Sequence, residues 1–214
     1  MLFINPQKTL PSTYIRCDYL ETIGYNTRID TGIAGDDNTL QFMGEIELFT
    51  FVGYATLFGN YINADYKGWR LILSDKETTN YFICGTHNVL NTVVYVPATT
   101  YSDDLPCKFS FLIQYQYGEI IINDQKYTRT NTNDDGKLEN TNNIAIGSPN
   151  TSLGGTTQFD KNRFYSFKIY KQGKLVRNYK PCIRKSDNKP GFYDLVNQTF
   201  NPSIGSQDFI AGND

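Results

Sequence analysis

Residues 163–212 constrain this chain more than any other stretch. From Arg163 onwards, Phe164, Ser166, Lys168 and Tyr170 alternate with Tyr165, Phe167 and Ile169. A period of two built from aromatic and β-branched residues specifies a strand, because successive side chains there point to opposite faces. Lys171-Gln172-Gly173-Lys174 follows as a tight turn, with glycine where a positive φ costs least. Residues 175–179 return as the paired strand. Pro181 has no N–H to give to a ladder, so the strand is expected to end there or to lie at an edge. Residues 191–200 read as a second small hairpin with an Asn-led turn, and a last extended segment carries Gly205, Phe209 and Gly212.

The rest of the chain repeats this grammar. Strands are expected within 14–33 (with bends at Gly24 and Gly32), 40–49, 54–60, 68–73, 81–84, 93–96, 108–115, 118–122 and 142–147. Polar loops separate them, the longest at 131–143 and 148–161. Within 40–49, Ile46 and Leu48 share one face and Glu45 and Glu47 the other. No window has a sustained helical period. Some dozen short strands with turns between them predict an all-β, two-layer antiparallel sandwich. A chain of 214 residues suits one such domain and can bury a full core. The domain is expected over 14–214, after a leader at 1–13.

Residues 163–182, 191–200 and 208–212, with Tyr19-Leu20-Glu21-Thr22-Ile23-Gly24 and Arg28-Ile29-Asp30-Thr31-Gly32-Ile33, resemble the concanavalin A-like (LamG-type) jelly-roll domain. The variety in question is found in bacteriophage structural proteins and in surface proteins of gut bacteria. The resemblance spans nearly the whole chain, and 142–147 resembles the strand before the C-terminal signature. It implies a jelly roll. It implies no activity, because this fold carries lectins, glycosidases and purely structural modules alike. In the family a turn such as Asn123-Asp124-Gln125-Lys126 commonly has glycine where Gln125 stands, so a loss of turn preference is expected here.

Composition excludes several classes. The formal charge is −2 and no basic run occurs, so the clustered cations of a nucleic-acid footprint are missing. Cys17, Cys84, Cys107 and Cys182 are far apart, without a CxxC pair, which argues for free buried thiols. Residues 1–6 lack the basic and apolar regions of a signal peptide, and no apolar run approaches a membrane span. Synthesis in a bacterial cytoplasm is expected, with the protein remaining there, leaving by lysis or joining a particle.

Few residues suggest chemistry. Jelly-roll glucanases carry an E-x-D-x-x-E strand whose acid and nucleophile share a face. Glu45-Ile46-Glu47 imitates it, but a Glu replaces the middle Asp and Thr50 stands at the third carboxylate position. A solvent-facing strand is therefore expected, and no catalytic residue is assigned. Asn131, Asn133, Asp135 and Gly136 sit at calcium-loop spacing, but Asn142 occupies the place of the bidentate Glu. Asp36, Asp37, Asp134 and Asp135 are the metal candidates, for calcium, and no other cofactor is expected. His87 is the only histidine, so no nucleophile–histidine pair can be argued. Tyr54, Tyr61, Tyr66 and Trp69 are close in sequence and could be core, a protein contact or a platform for sugar rings. Leu2, Phe3 and Ile4 make the leader either a frayed end or a docking arm.

Together with the resemblance, these features predict a non-enzymatic structural protein of a phage virion: a capsid decoration, head-fibre or tail-associated module. Its partners would be other virion proteins and further copies of itself, a trimer suiting a fibre. The alternative is a carbohydrate-binding adhesin module for host surface glycans. A glycoside hydrolase ranks below both.

Overall fold

The computed structural model describes residues 9–24, 27–49, 54–60, 69–76, 79–86, 94–97, 106–114, 118–128, 141–147 and 161–214. Among them are 17 strands and no α-helix. The larger sheet has 11 strands: β1 (Tyr14–Arg16), β2 (Tyr19–Glu21), β4 (Gln41–Leu48), β9 (Cys107–Gln114), β10 (Glu119–Ile122), β11 (Gln125–Thr128), β13 (Asn162–Lys171), β14 (Lys174–Arg184), β15 (Lys189–Asp194), β16 (Thr199–Pro202) and β17 (Ile210–Gly212). The smaller has six: β3 (Arg28–Ala34), β5 (Tyr54–Gly59), β6 (Trp69–Lys76), β7 (Thr79–Thr86), β8 (Val94–Pro97) and β12 (Asn143–Gly147). Neighbouring strands pair antiparallel, in the orders β11-β10-β9-β4-β13-β14-β15-β16 and β3-β12-β5-β6-β7-β8. Among the described residues no helix is long and apolar enough to cross a membrane.

One apolar core lies between the sheets. The smaller sheet gives it Ile29, Leu57, Phe58, Leu71, Ile144 and Ile146; the larger gives Phe42, Ile46, Phe109, Phe111, Phe164, Phe167, Ile169 and Phe192 among others. This is the expected all-β antiparallel sandwich. Alternation does most of the sorting: on β4, Phe42, Ile46 and Leu48 are buried while Glu45 and Glu47 face outwards.

Strand β13 departs from strict alternation. Phe164 pairs with Ile46 and Ser166 with Glu45, so Tyr165 is an extra residue in a bulge. The bulge moves the phase by one and lets Phe164, Phe167 and Ile169 all face the core. Strict alternation had placed Phe164 and Phe167 on opposite faces. Gly44 makes the bulge possible. A Cβ there would run into the Ser166 carbonyl oxygen and lie 2.9 Å from the Phe111 ring.

The turns follow the residues that tolerate a left-handed backbone. Gln172 and Gly173 have φ of 50° and 72° and close β13 onto β14 as a two-residue hairpin turn. Between β10 and β11 the positive φ values fall on Asn123 (46°) and Asp124 (65°). Gln125 is already in the strand, opposite Ile122. The expected loss of turn preference at Gln125 is therefore corrected, since Asn and Asp carry the strain at lower cost.

Pro181 also needs correcting. Strand β14 runs through it to Arg184, with Phe192 of β15 opposite Pro181. The Pro181 carbonyl accepts the Cys17 N–H at 3.4 Å. In an extended strand a residue's N–H and C=O point to the same side. The missing donor thus faces the junction between β1 and β2, where no ladder runs, and β15 is undisturbed.

Cys17, Cys107 and Cys182 are free and buried. Burial pushes the thiols of Cys17 and Cys182 up to about 12 and that of Cys107 to about 11, so all three stay protonated. Cys84 lies on β7, its side chain outside the described residues.

Candidate functional site

The most elaborate polar arrangement among the described residues covers the outer face of the larger sheet, where β2, β4, β9 and β13 meet. Glu47 stands opposite Lys108 of β9 on one side and Arg163 of β13 on the other. The Arg163 guanidinium donates from Nε to Glu21 (3.0 Å) and from Nη1 to Glu47 (3.2 Å). It also lies 4.1 Å from the Tyr19 ring centroid and 4.7 Å from that of Phe49. The Lys161 ammonium is 3.1 Å from Glu21. Lys108 is 3.2 Å from Glu45 and 3.6 Å from Asp214, and sits 3.4 Å over the Tyr165 ring.

The bulge in β13 supplies the centre of this cluster. It presents Tyr165 outwards, where the phenol lies 2.9 Å from Glu47 and 3.1 Å from Asp214. A phenol has one proton and can donate to only one carboxylate at a time. Burial raises the Tyr165 pKa, and the two carboxylates raise it further, so the hydroxyl stays protonated. Burial alone would lower the Arg163 pKa, but Glu21, the Tyr19 and Tyr165 phenols and Glu47 outweigh it and raise it. The cluster is layered: Glu21 and Glu47 side chains are 6% and 15% exposed, whereas Lys108 and Asp214 at the rim are 38% and 52% exposed.

The carboxylates that Glu47 meets thus come from far away in the chain, Glu21 through Arg163 and Asp214 through Tyr165. Sequence reasoning missed all four residues. The one signal available was the outward-facing half of the alternation at the start of β13, Arg163 and Tyr165. Thr50, the position expected for a third carboxylate, lies outside the described residues. Each carboxylate in the cluster is held by a cation or a phenol, so the arrangement ties four strands together across their outer face.

The other candidates scatter. Tyr54 and Trp69 begin neighbouring strands, but Tyr54 pairs with Ser74 at the far end of β6 from Trp69. Five residues of strand separate the two positions, roughly 17 Å. Their side chains, and all of Tyr61, Tyr66, His87, Asp134, Asp135, Leu2, Phe3 and Ile4, lie outside the described residues. Of the leader, Leu10 packs, as Tyr14 and Phe200 do, against the cluster of Cys182, Tyr193 and Leu195 on the outer face of the larger sheet. Asp36 is exposed in the loop before β4. Among the described residues no three His, Cys, Asp or Glu side chains are grouped to hold a metal ion.

Asp37 is engaged within the fold. Its Oδ1 accepts the Thr39 amide (2.8 Å) and hydroxyl (2.6 Å), and Lys171 lies 3.0 Å from Oδ2. Thr39 in turn accepts the Gln172 N–H, which pins this loop to the β13–β14 turn. Burial pushes the Asp37 carboxyl up, but Thr39 and Lys171 outweigh it and hold it below the usual value. A depressed folded pKa contributes stability above the ordinary carboxylate range and loses it as pH falls through the folded value. Asp37→Asn should therefore cost about 1 kcal/mol at pH 7, a few degrees of melting temperature. The gap should close as the wild type is titrated towards pH 3 in thermal melts. A gap unchanged in acid would assign the loss to shape rather than charge.

No protein-family model matches the chain, and no curated protein matches it.

Proposed function

We propose that the chain is a non-enzymatic structural module of a phage particle, a decoration, head-fibre or tail-associated protein that presents loops from a stiff sandwich. The observation that carries this reading is the fate of the outward carboxylates. Glu45 is paired with Lys108, and Glu47 is held by Arg163 and Tyr165. Carboxylates spent on cross-strand ties stiffen a sheet, which suits a display scaffold. A glycosidase needs one carboxyl poised as acid and another free as nucleophile or base. The resemblance of the C-terminal strands to phage jelly-roll domains supports the same reading.

The test is protein mass spectrometry of gradient-purified particles from the phage that encodes the chain. The chain should co-sediment with particles and stay on them through a high-salt wash. Its absence from particles would overturn the reading. So would glycan hydrolysis by the purified protein that Glu47→Gln abolishes.

A further inference from the structure

Beside the acidic cluster, the same outer face carries three cations. Lys168 on β13 stands directly opposite Asn178 of β14, and Lys180 follows two residues on, with the same facing. Arg16 on β1 stands opposite Cys182, two residues beyond Lys180 again. Strands β13 and β1 flank β14 on the same side, since β15 occupies the other. Lys180 therefore sits between Lys168 and Arg16, each on its diagonal, a separation of roughly 7–8 Å between side-chain bases. Long side chains at that spacing can converge on one small group.

No counter-charge stands directly opposite Lys168 or Lys180. Lys168 has Asn178 and Met43 across its two ladders, and Lys180 has Tyr193. Among the described residues, none of the three side chains takes part in an ion pair or a hydrogen bond. Glu45 is the carboxylate near enough to influence Lys180, and it is committed to Lys108 at 3.2 Å. Lys180 is half-buried. Its pKa is lowered, first by burial and then by Lys168 and Arg16. Like charges held together on a fixed sheet raise its energy, and an anion between them removes that penalty.

We propose that Arg16, Lys168 and Lys180 form a binding site for a single oxyanion of the phosphate or sulfate type. Arg16 can bind two oxygens side by side, and the two ammonium groups take the others as point charges. A nucleic-acid backbone does not suit the place. Its closely spaced charges would run from the three cations into Glu45, Glu47 and Asp214. The inference stands apart from the particle reading, since a virion module and a cellular one could each carry such a site.

The experiment compares sodium phosphate, sodium sulfate and sodium chloride at equal ionic strength, by thermal melts and titration calorimetry on the whole chain. Phosphate and sulfate should bind saturably and raise the melting temperature above that in chloride. Lys168→Gln or Lys180→Gln should weaken binding at least tenfold. Lys185→Gln, an exposed cation in the β14–β15 turn, should leave it unchanged. In chloride alone Lys180→Gln should melt no lower than the wild type, because a repulsion is lost, and this separates a binding role from a folding one. Glucose 6-phosphate set against inorganic phosphate then shows whether the group is taken on a carrier or free. Equal gains in wild type and the Lys168→Gln/Lys180→Gln double variant would overturn the site.

Discussion

Replacing Asp194 by alanine should destabilise the protein by about 3–5 kcal/mol, the range for stranding one partner of a buried ion pair. Asp194 is 1% exposed at the end of β15. Its Oδ1 accepts the backbone N–H groups of Asn178 (2.9 Å) and Val196 (3.0 Å). Its backbone carbonyl accepts the Gln198 N–H at 2.8 Å, closing the turn into β16. The Arg177 guanidinium lies 3.6 Å from Oδ2, close enough for charge attraction and too far for a hydrogen bond, which leaves Oδ2 without one. Arg177 then donates to the Thr31 carbonyl at 2.9 Å, on β3 of the opposing sheet. Alanine thus removes the acceptor of two backbone N–H groups and the counter-charge of an arginine that joins the two sheets. Asp194→Asn keeps an acceptor and loses the charge, so it should cost less, about 1–2 kcal/mol. Chemical denaturation of both variants tests this. A loss under about 1 kcal/mol for alanine would mean that solvent reaches the site and replaces the carboxylate.

The contrast between Asp194 and the strand around it shows what this sequence displays and what it conceals. Strands β4, β9, β13 and β14 and their turns are legible because each residue's face follows from its neighbours two positions away, and because Gln172-Gly173 marks its own turn. The bulge at Tyr165 is concealed. A phase slip of one residue leaves both halves of β13 with perfect alternation, and only the partner strand shows which residue is extra. Pro181 misleads for a related reason. A proline is harmless wherever its missing N–H faces a gap in the ladder, and that gap is set by β1 and β2, about 165 positions earlier. The polar cluster is concealed most deeply. Glu21, Arg163, Tyr165 and Asp214 carry no motif, and the meeting of Glu21 with Glu47 across Arg163 depends on β2 and β4 both lying beside β13. Asp37 was singled out for its charge, whereas its neighbour Thr39 two residues on explains what the charge does.

Phe58→Ala should cost about 3–5 kcal/mol and lower the melting temperature by roughly 10 °C. Phe58 enters the core from β5 of the smaller sheet and is fully buried. Three rings of the larger sheet enclose it: Phe42 of β4 at 5.5 Å, Phe111 of β9 at 5.3 Å and Phe167 of β13 at 4.8 Å between centroids. The Phe167 contact is edge-on and the Phe111 contact stacked, the two arrangements that ring quadrupoles favour. The side chain therefore holds both sheets at a fixed separation. The surrounding rings belong to three strands locked side by side by full ladders, so they cannot move in to fill the space that alanine leaves. The cost should include a cavity penalty as well as lost burial. Phe58→Leu keeps most of the volume and should cost about 1–1.5 kcal/mol, with the denaturant slope unchanged in both variants. If alanine and leucine cost the same, the rings must close over the gap, and the sheets would be held apart by their edges rather than by this central contact.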